Sequence, residues 1–349
     1  MYLKELEELE WNNILSNFKT ISPDIYYFNR YYKSWISHEK AKPCCLYINI
    51  DGIDFIYPFF IKKIDGFDLS KTYIDIYTAY GYGGLLCSEI NPYYNIVSKV
   101  NQLIDEWCMD NNVVSEFIRE NRIFEIKGSY LRDIDHVQVR SNVYTDLNDK
   151  IENQLSKSAK RNIKIAKRSN LICSIHKEKK DIESYIKIYN KTMKKLNASK
   201  FYFFDSSFFF SLFEYMPGDI DLIMIWKENS LCAASLCFKS GNNYIYYLGV
   251  SDPKKSSIKP NDFLLYNIMR IAQEMNFKYV SLGGGTGNSL DDSLFLYKSR
   301  FGKLKFPCHI GKKIHRPCIY RKVCLQWEKR YPDLSNIYEG RLQKYHYID

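Results

Sequence analysis

The chain has 349 residues, of which 46% are hydrophobic, and it carries a formal net charge of +10. This length predicts two domains or one large one, and no run approaches the roughly 18 consecutive apolar residues that a membrane-spanning helix needs. Residues 1–150 hold 16 Lys and Arg against 22 Asp and Glu, a net charge of −6, whereas the remaining residues hold 34 against 18, a net charge of +16. The basic second half favours an anionic partner, such as a phosphorylated cofactor, a nucleotide-linked substrate or RNA, and a solvated basic surface is the competing interpretation.

The N-terminus and the cysteines predict the compartment and the metal content. Residues 1–8 are acidic and amphipathic, unlike a secretory signal peptide. The ten cysteines are irregularly spaced, so we expect reduced thiols and a cytoplasmic protein. Near the C-terminus the chain carries a group of soft metal ligands, namely Cys308, His309, His315, Cys318 and Cys324. Because this group lacks the paired C-x-x-C spacing of structural zinc sites, we expect no metal.

The first half mixes helices with strand-like runs. Helices are predicted over residues 2–18 and 23–35. Apolar runs over residues 44–50 and 53–61 are joined by Asp51-Gly52, the sequence most typical of a tight β-hairpin turn. The other elements predicted here are a strand over residues 74–78, a helix over 91–108, and strands over 123–126 and 136–139.

A polar stretch over residues 142–150 predicts a boundary between an N-terminal domain (residues 1–148) and a C-terminal domain (residues 149–320), with a basic C-terminal tail over 321–349. The helix over residues 151–168 repeats Lys and Arg at i, i+3 and i+4, which places them on one face. After it we predict a strand over 171–176, helices over 181–196 and 206–215, strands over 221–226, 231–238 and 243–250, a helix over 262–275, and strands over 279–282 and 303–310. Three consecutive strands imply an antiparallel meander, which a strand-helix-strand unit joins in parallel to give a mixed α/β sheet.

Four glycines follow the predicted strand at 279–282 within five positions: Gly283, Gly284, Gly285 and Gly287. Ser289 and Asp292 have the spacing of a capping box, so a helix is predicted to start at Ser289. A glycine loop before a helix brings the backbone close to a ligand and presents free N–H groups to an anion. No Lys follows Gly287 as in a P-loop, and position 288 is Asn rather than the Gly of a dinucleotide fingerprint. A tight turn without a ligand is the alternative.

The order of elements resembles the acyltransferase fold of the GNAT superfamily, and several motifs are similar to those of its FemABX-like members, the relatives of peptidoglycan bridge aminoacyltransferases. The Lys/Arg-rich helix at 158–168 resembles the one that opens their second domain, and residues 260–266 resemble a later helix start. Residues 281–285, with Tyr297-Lys298-Ser299-Arg300-Phe301-Gly302, resemble their Gly-rich strand end and Phe-Lys-x-x-Phe-Gly signature. Tyr80-Gly81-Tyr82-Gly83-Gly84 is similar to a Tyr-Gly loop of the first domain. The resemblance covers most of residues 20–310.

This resemblance implies two tandem GNAT-like domains with a cleft between them, and transfer of an acyl group from acyl-CoA or aminoacyl-tRNA to an amine. The acceptor it implies is a small or nucleotide-linked precursor of the cell envelope, either a sugar or a peptide, and tRNA stays open as a partner. The chain departs from the family at Ser281 and Leu282, where an acidic residue is usual. The loop over residues 249–260 also lacks the R/Q-x-x-G-x-G/A pattern that binds CoA.

The resemblance assigns the candidate site residues. Lys298 matches the signature lysine and is predicted to stabilise negative charge on the donor carbonyl or phosphate. Gly283, Gly284 and Gly285 are predicted to lie beside the donor, and the donor phosphates are assigned to Lys254, Lys255 and Lys259, which precede a helix N-terminus. The substrate-binding candidates are Tyr80, Tyr82, Arg161 and Tyr247.

For each of these residues a purely structural role is the competing interpretation, and the residue types identify no general base. A non-catalytic RNA-binding or scaffold protein that keeps the fold is a third hypothesis beside the two donors.

Overall fold

The computed structural model describes residues 1–16, 18, 22–90, 92–121, 132–287, 289 and 291–348. The predicted strand over residues 123–126 lies outside them. The strands are β1 (Tyr2–Glu5), β2 (Lys42–Ile50), β3 (Ile53–Lys63), β4 (Ile74–Tyr77), β5 (Leu86–Cys87), β6 (Val113–Asn121), β7 (Asp135–Asp146), β8 (Ile172–His176), β9 (Ile220–Lys227), β10 (Ser230–Ser240), β11 (Asn243–Ser251), β12 (Tyr279–Gly283) and β13 (Leu304–Ile314). The helices are α1 (Glu8–Ser16), α2 (Asn29–Glu39), α3 (Tyr94–Asp110), α4 (Ile151–Gln154), α5 (Lys157–Arg168), α6 (Lys179–Lys195), α7 (Ser206–Tyr215), α8 (Pro260–Glu274), α9 (Ser293–Lys298), α10 (Pro317–Arg330) and α11 (Pro332–Tyr338).

The described strands form one mixed sheet in the order β1-β2-β3-β4-β6-β13-β7-β12-β11-β10-β9-β8, with β5 paired to β3. The hairpin of β2 and β3 is confirmed, and its turn residues Asp51 and Gly52 have φ values of 53° and 85°. Two positive φ angles are what a two-residue turn needs to follow the right-handed twist of the strands. The helix predicted from residue 2 is wrong at its start, because Tyr2–Glu5 pairs with the exposed edge of β2 instead.

The second half contains the predicted meander. Strands β9, β10 and β11 are antiparallel neighbours, and β12 joins β11 in parallel after the crossover helix α8. The apolar stripe of α8 packs with α5 on one face of these strands, where Phe263, Leu264, Ile268 and Ala272 are buried. Helices α6 and α7 cover the other face together with α2 of the first half.

The two halves are interlocked through β13. This strand lies between β6 and β7 and is antiparallel to both. The sequence did not predict β6. The domain boundaries proposed at residues 148 and 320 stay predictions. The segment predicted as a basic tail is folded over its described part, because Val323, Cys324, Trp327 and Tyr345 pack on Val114 of β6 and on neighbouring residues.

All ten cysteines are free thiols, as the sequence predicts. Among the described residues, no helix combines the length and apolarity needed to cross a membrane.

Candidate functional site

A cavity of about 650 Å³ opens between the two halves of the sheet. The parallel pairing of β11 and β12 ends at Ile245 and Ser281, and beyond this point the two strands separate. Residues 246–249 of β11 and residues 282–285, which run from the end of β12 into the glycine loop, therefore line the cavity. Separation of adjacent strands at their carboxyl ends is a common way for an α/β sheet to open a ligand crevice.

Lys298 lies at the end of α9 and reaches into this cavity. Its Nζ donates a hydrogen bond to the carbonyl of Gly284 at 2.7 Å, and within the described part of the chain it forms no salt bridge with a carboxylate. Burial, and secondly the nearby Arg140 guanidinium, lower the pKa of Lys298 to about 8. The side chain therefore carries a proton at neutral pH that it holds less firmly than an exposed lysine does.

The three predicted glycines line the cavity, and Gly284 and Gly285 leave room for neighbouring side chains. Gly283 has a φ of +69°, and a Cβ atom there would lie 3.5 Å from Lys298 Nζ. A Cβ at Gly284 would approach Arg140 Cδ to 2.8 Å, and one at Gly285 would approach Asp292 Oδ1 to 2.3 Å. The missing side chains of Gly284 and Gly285 thus leave room for Arg140 and Asp292, whereas Gly283 allows the positive φ.

The Asp292 carboxylate accepts hydrogen bonds that the glycine loop could otherwise donate to a bound anion. Its Oδ2 accepts hydrogen bonds from the N–H groups of Thr286 and Gly287 at 3.0 and 3.2 Å, while its Oδ1 accepts one from Phe295 N at 2.9 Å. The helix therefore starts at Ser293 with Asp292 as its N-cap, and the predicted start at Ser289 is wrong because Asp292 is the better-placed acceptor. Positions 288 and 290 of this loop lie outside the described residues.

The predicted tyrosines Tyr80, Tyr82 and Tyr247 all border the cavity. The rings of Tyr80 and Tyr247 lie 6.2 Å apart between centroids, and Asn142 donates to the Tyr82 hydroxyl at 2.8 Å. Burial raises the pKa of all three hydroxyls. The three hydroxyls therefore remain protonated. The tyrosines form one wall of the cavity, with apolar rings and with hydroxyl groups that can hydrogen-bond to a substrate.

Two further cations in the cavity were missed by the sequence analysis, namely Arg119 of β6 and Arg140 of β7. The described residues that line the cavity include no Asp or Glu. Neither arginine belongs to a motif, and β6 itself was not predicted, so only the pairing of β6, β13 and β7 brings them to Lys298. Leu248, which also lines the cavity, has an unusual φ of 47° for a branched residue.

The remaining predicted residues lie elsewhere. Arg161 is exposed on α5, and Lys254, Lys255 and Lys259 surround the start of α8 without bordering the described cavity. Lys255 Nζ instead donates to the carbonyl of Leu231 at 3.0 Å. The structure does not bring these four cations together with Lys298, and their proposed contacts with phosphates stay predictions.

The donor atoms of Cys108, Glu116 and His315 lie within 4.8 Å of one another, a spacing that would suit a metal ion. However, Arg132 Nε already donates to Glu116 Oε1 at 2.8 Å, which places a permanent positive charge against the group. These residues therefore fit an internal ion network better than a cation site.

Comparisons with known proteins agree with this architecture. Residues 153–298 match the family model described as an acetyltransferase (GNAT) domain, a range that ends at Lys298. No curated protein matches the sequence. The crystal structure of FemX superposes with a TM-score of 0.65 at 13% identity, covering 92% of this chain and 99% of FemX.

Two further solved structures are also similar. L-PGS from Bacillus licheniformis has a TM-score of 0.55 at 10% identity, covering 89% of this chain and 95% of its own. The C-terminal domain of a putative lysylphosphatidylglycerol synthetase from Agrobacterium fabrum has a TM-score of 0.54 at 11% identity, covering 93% and 97%. Likeness at such identities shows a shared fold, and the predicted mixed α/β fold of the FemABX-like type is confirmed.

Proposed function

Residues 153–298 form a GNAT acyltransferase domain, and from this premise we propose that the protein transfers an acyl group from acyl-CoA to an amine of a cell-envelope sugar or peptide precursor. One observation carries the proposal: Lys298 presents a cation without a carboxylate partner, among the described residues, at the point where β11 and β12 separate. When an amine attacks an acyl carbonyl, negative charge develops on the carbonyl oxygen. A fixed cation at that place stabilises the transition state more than the ground state.

No general base is evident among the candidate residues, and the positive potential of the cavity offers another way to keep the acceptor amine neutral. An amine attacks only through its free lone pair, so the acceptor must lose its proton before reaction. Arg119, Arg140 and Lys298 border the cavity without a lining Asp or Glu in its described wall. Nearby positive charge lowers the pKa of a bound amine, so this cavity favours the neutral, nucleophilic form of the acceptor.

An aminoacyl-tRNA donor is the second candidate. It is favoured by the net charge of +16 on the second half of the chain and by the likeness of the fold to FemX. Lys298 would have the same role with either donor. Attack on an aminoacyl ester or on a thioester puts negative charge on the carbonyl oxygen, and the leaving group is the ribose hydroxyl of the tRNA or the thiol of CoA. Binding of tRNA that weakens steeply with salt would support this donor, whereas binding of CoA by calorimetry would support the first.

The test is Lys298→Ala, measured as release of free thiol from acetyl-CoA with a panel of amino sugars and short peptides as acceptors. Loss of one oxyanion-stabilising group should lower kcat by about 100- to 1,000-fold. The matched control is Lys187→Ala, which removes an exposed lysine from helix α6 and should leave turnover unchanged. If Lys298→Ala and Lys187→Ala have the same turnover as the unmodified protein, Lys298 has no catalytic role.

A further inference from the structure

A second cavity, of about 360 Å³, lies beside the first and is not used by the chemistry above. One of its walls is the C-terminal segment, residues 340–347, and the opposite wall is the face of β4, β6 and β13. Arg119 lines both cavities. The two spaces therefore adjoin at Arg119, and a ligand that extends from one cavity to the other passes this residue.

The strand register places several basic residues on the face of the sheet that borders this cavity. Arg119 of β6 is opposite Ile310 of β13, and Phe117 is opposite Lys312. Cys308 of the same strand is opposite Arg140 of β7. Since directly opposed residues and every second residue of a strand share a face, Arg140, Arg119 and Lys312 form a cationic row across three strands.

Among the described residues that line the second cavity, basic side chains outnumber acidic ones. Lys62, Arg119, Lys312 and Arg341 border it, and none of them forms a salt bridge within the part of the chain that the structure describes. The nearest polar partners are neutral: Lys62 Nζ lies 3.5 Å from the carbonyl of Glu39, and Lys312 Nζ lies 3.4 Å from the carbonyl of Gly340.

Glu39 is the one carboxylate of the described lining, and its Oε2 accepts from the Tyr77 hydroxyl at 3.1 Å. Several cations converging on a concave site, with one acid among them, create a strong local potential for an anion.

The wall that carries Arg341 is held in place by a buried acid. Asp75 accepts hydrogen bonds from the Tyr345 hydroxyl at 3.0 Å and contacts His346 Nε2 at 2.8 Å. Gln343 Nε2 donates to Ser115 Oγ at 3.2 Å. These contacts attach the C-terminal segment to β4 and β6, so Arg341 borders a preformed cavity.

We propose that this second cavity binds the phosphate or diphosphate group of the acyl acceptor, whose amine extends past Arg119 to Lys298. The role as an acceptor site rests on the proposed acyl transfer, whereas anion binding itself does not. Guanidinium and ammonium groups form short charge-assisted hydrogen bonds with phosphate oxygens. A 360 Å³ space bordered by four such groups is large enough for a diphosphate with part of its attached group.

The test is calorimetric binding of three probes: inorganic pyrophosphate, uridine diphosphate, and a short-chain polyprenyl diphosphate in detergent micelles. Arg341→Gln and Lys312→Gln should each weaken pyrophosphate binding about tenfold, the equivalent of one lost charge-assisted contact. The matched control is Arg270→Gln, an exposed arginine of α8, which should bind pyrophosphate normally. Tighter binding of the uridine or the polyprenyl compound than of pyrophosphate identifies a nucleotide-linked or a lipid-linked acceptor.

Equal affinities in Arg341→Gln, Lys312→Gln and Arg270→Gln, at unchanged thermal stability, would overturn the proposal, as would failure of all three probes to bind. Lys298→Ala separates this inference from the proposed function, because it should abolish turnover while leaving pyrophosphate binding intact. Pyrophosphate binding without any acyl transfer would retain the anion site and reject the proposed function.

Discussion

Each half of the molecule holds a cation that is shielded from solvent, Arg132 fully and Lys298 partly, and the two have opposite surroundings. Arg132 is fully buried in the first half, where its Nε and Nη2 donate to Glu116 at 2.8 Å and Nη2 donates to Asp105 at 2.6 Å. Burial by itself would lower the pKa of Arg132, but Glu116 more than reverses this and raises it. Lys298 has no such partner in the described chain, and its pKa falls to about 8.

This difference in partners separates a structural role for Arg132 from a functional role for Lys298. When several donors of a buried cation are hydrogen-bonded to carboxylates, few are left for a ligand. Removal of that cation leaves the carboxylates unpaired and destabilises the folded state. A cation such as Lys298, whose hydrogen bond within the described chain goes to a backbone carbonyl, has donors left for a ligand. Lysines with perturbed pKa values in clefts are candidates for function. The predictions below test whether the two sites behave as differently as their contacts indicate.

The largest effect on stability is expected from Glu116→Gln. This change leaves Arg132 buried beside a neutral side chain, and breaking a buried ion pair from one side costs about 3–5 kcal/mol in free energy of unfolding. Urea denaturation followed by circular dichroism measures the loss. Asp68→Asn is the matched control, because its ion pair with Lys322 is exposed and should contribute less than about 1 kcal/mol. Similar losses for both variants would contradict the structural role of Glu116.

By the same measurement, Lys298→Met should leave the free energy of unfolding almost unchanged. Its removal leaves no buried carboxylate unpaired, and folding disfavours the charged form of this lysine. A loss as large as that of Glu116→Gln would show that Lys298 is a structural cation and would remove the contrast between the halves.

The pH dependence of turnover should show the ionisation of Lys298. If its charged form stabilises the transition state, kcat falls as the pH rises through about 8. Lys298→Arg should move this alkaline limb upwards by at least about two pH units, because arginine stays protonated to about pH 12. An unchanged limb in Lys298→Arg would assign the ionisation to another group, and Lys187→Arg serves as the control.

The same ionisation has an opposite effect on stability. Since the pKa of Lys298 is lower in the folded protein than its ordinary value, the unfolded chain binds more protons between these two values. The contribution of this group to stability therefore increases as the pH rises from about 8 towards 10.5. Comparison of the unmodified protein with Lys298→Met over this pH range isolates the contribution of Lys298 to the free energy of unfolding.

A smaller effect is expected at the N-cap of α9. The Thr286 hydroxyl, followed by the Phe295 N–H, lowers the pKa of the Asp292 carboxyl, so its contribution is present at neutral pH and is lost as the pH falls below the ordinary range for aspartate. Asp292→Ala should cost about 0.5–2 kcal/mol, as for other lost N-caps. Asp292→Asn keeps one acceptor and should cost less. If both variants were as stable as the unmodified protein, the cap bonds would contribute nothing.

Much of the fold was predictable where its cause is local. The Asp51-Gly52 turn, the meander of β9 to β11 and the loop at Gly283 all follow from turn residues and apolar periodicity within a few positions. The motif drew attention to Lys298, which lines the cavity, and its catalytic role stays a prediction. The first strand was missed because Tyr2–Glu5 is a strand only by virtue of its pairing with β2, a contact that local periodicity does not contain.

The sequence by itself therefore determined the β2–β3 hairpin, the mixed sheet of the second half and the glycine loop before Lys298, because these depend on neighbours in the chain. Only the tertiary structure decided that β13 enters between β6 and β7. That pairing brings Arg119, Arg140 and Lys312, which are far apart in sequence, onto one face. Strand order depends on the packing of the whole sheet and has no local signature, so the electrostatics of both cavities came from the fold.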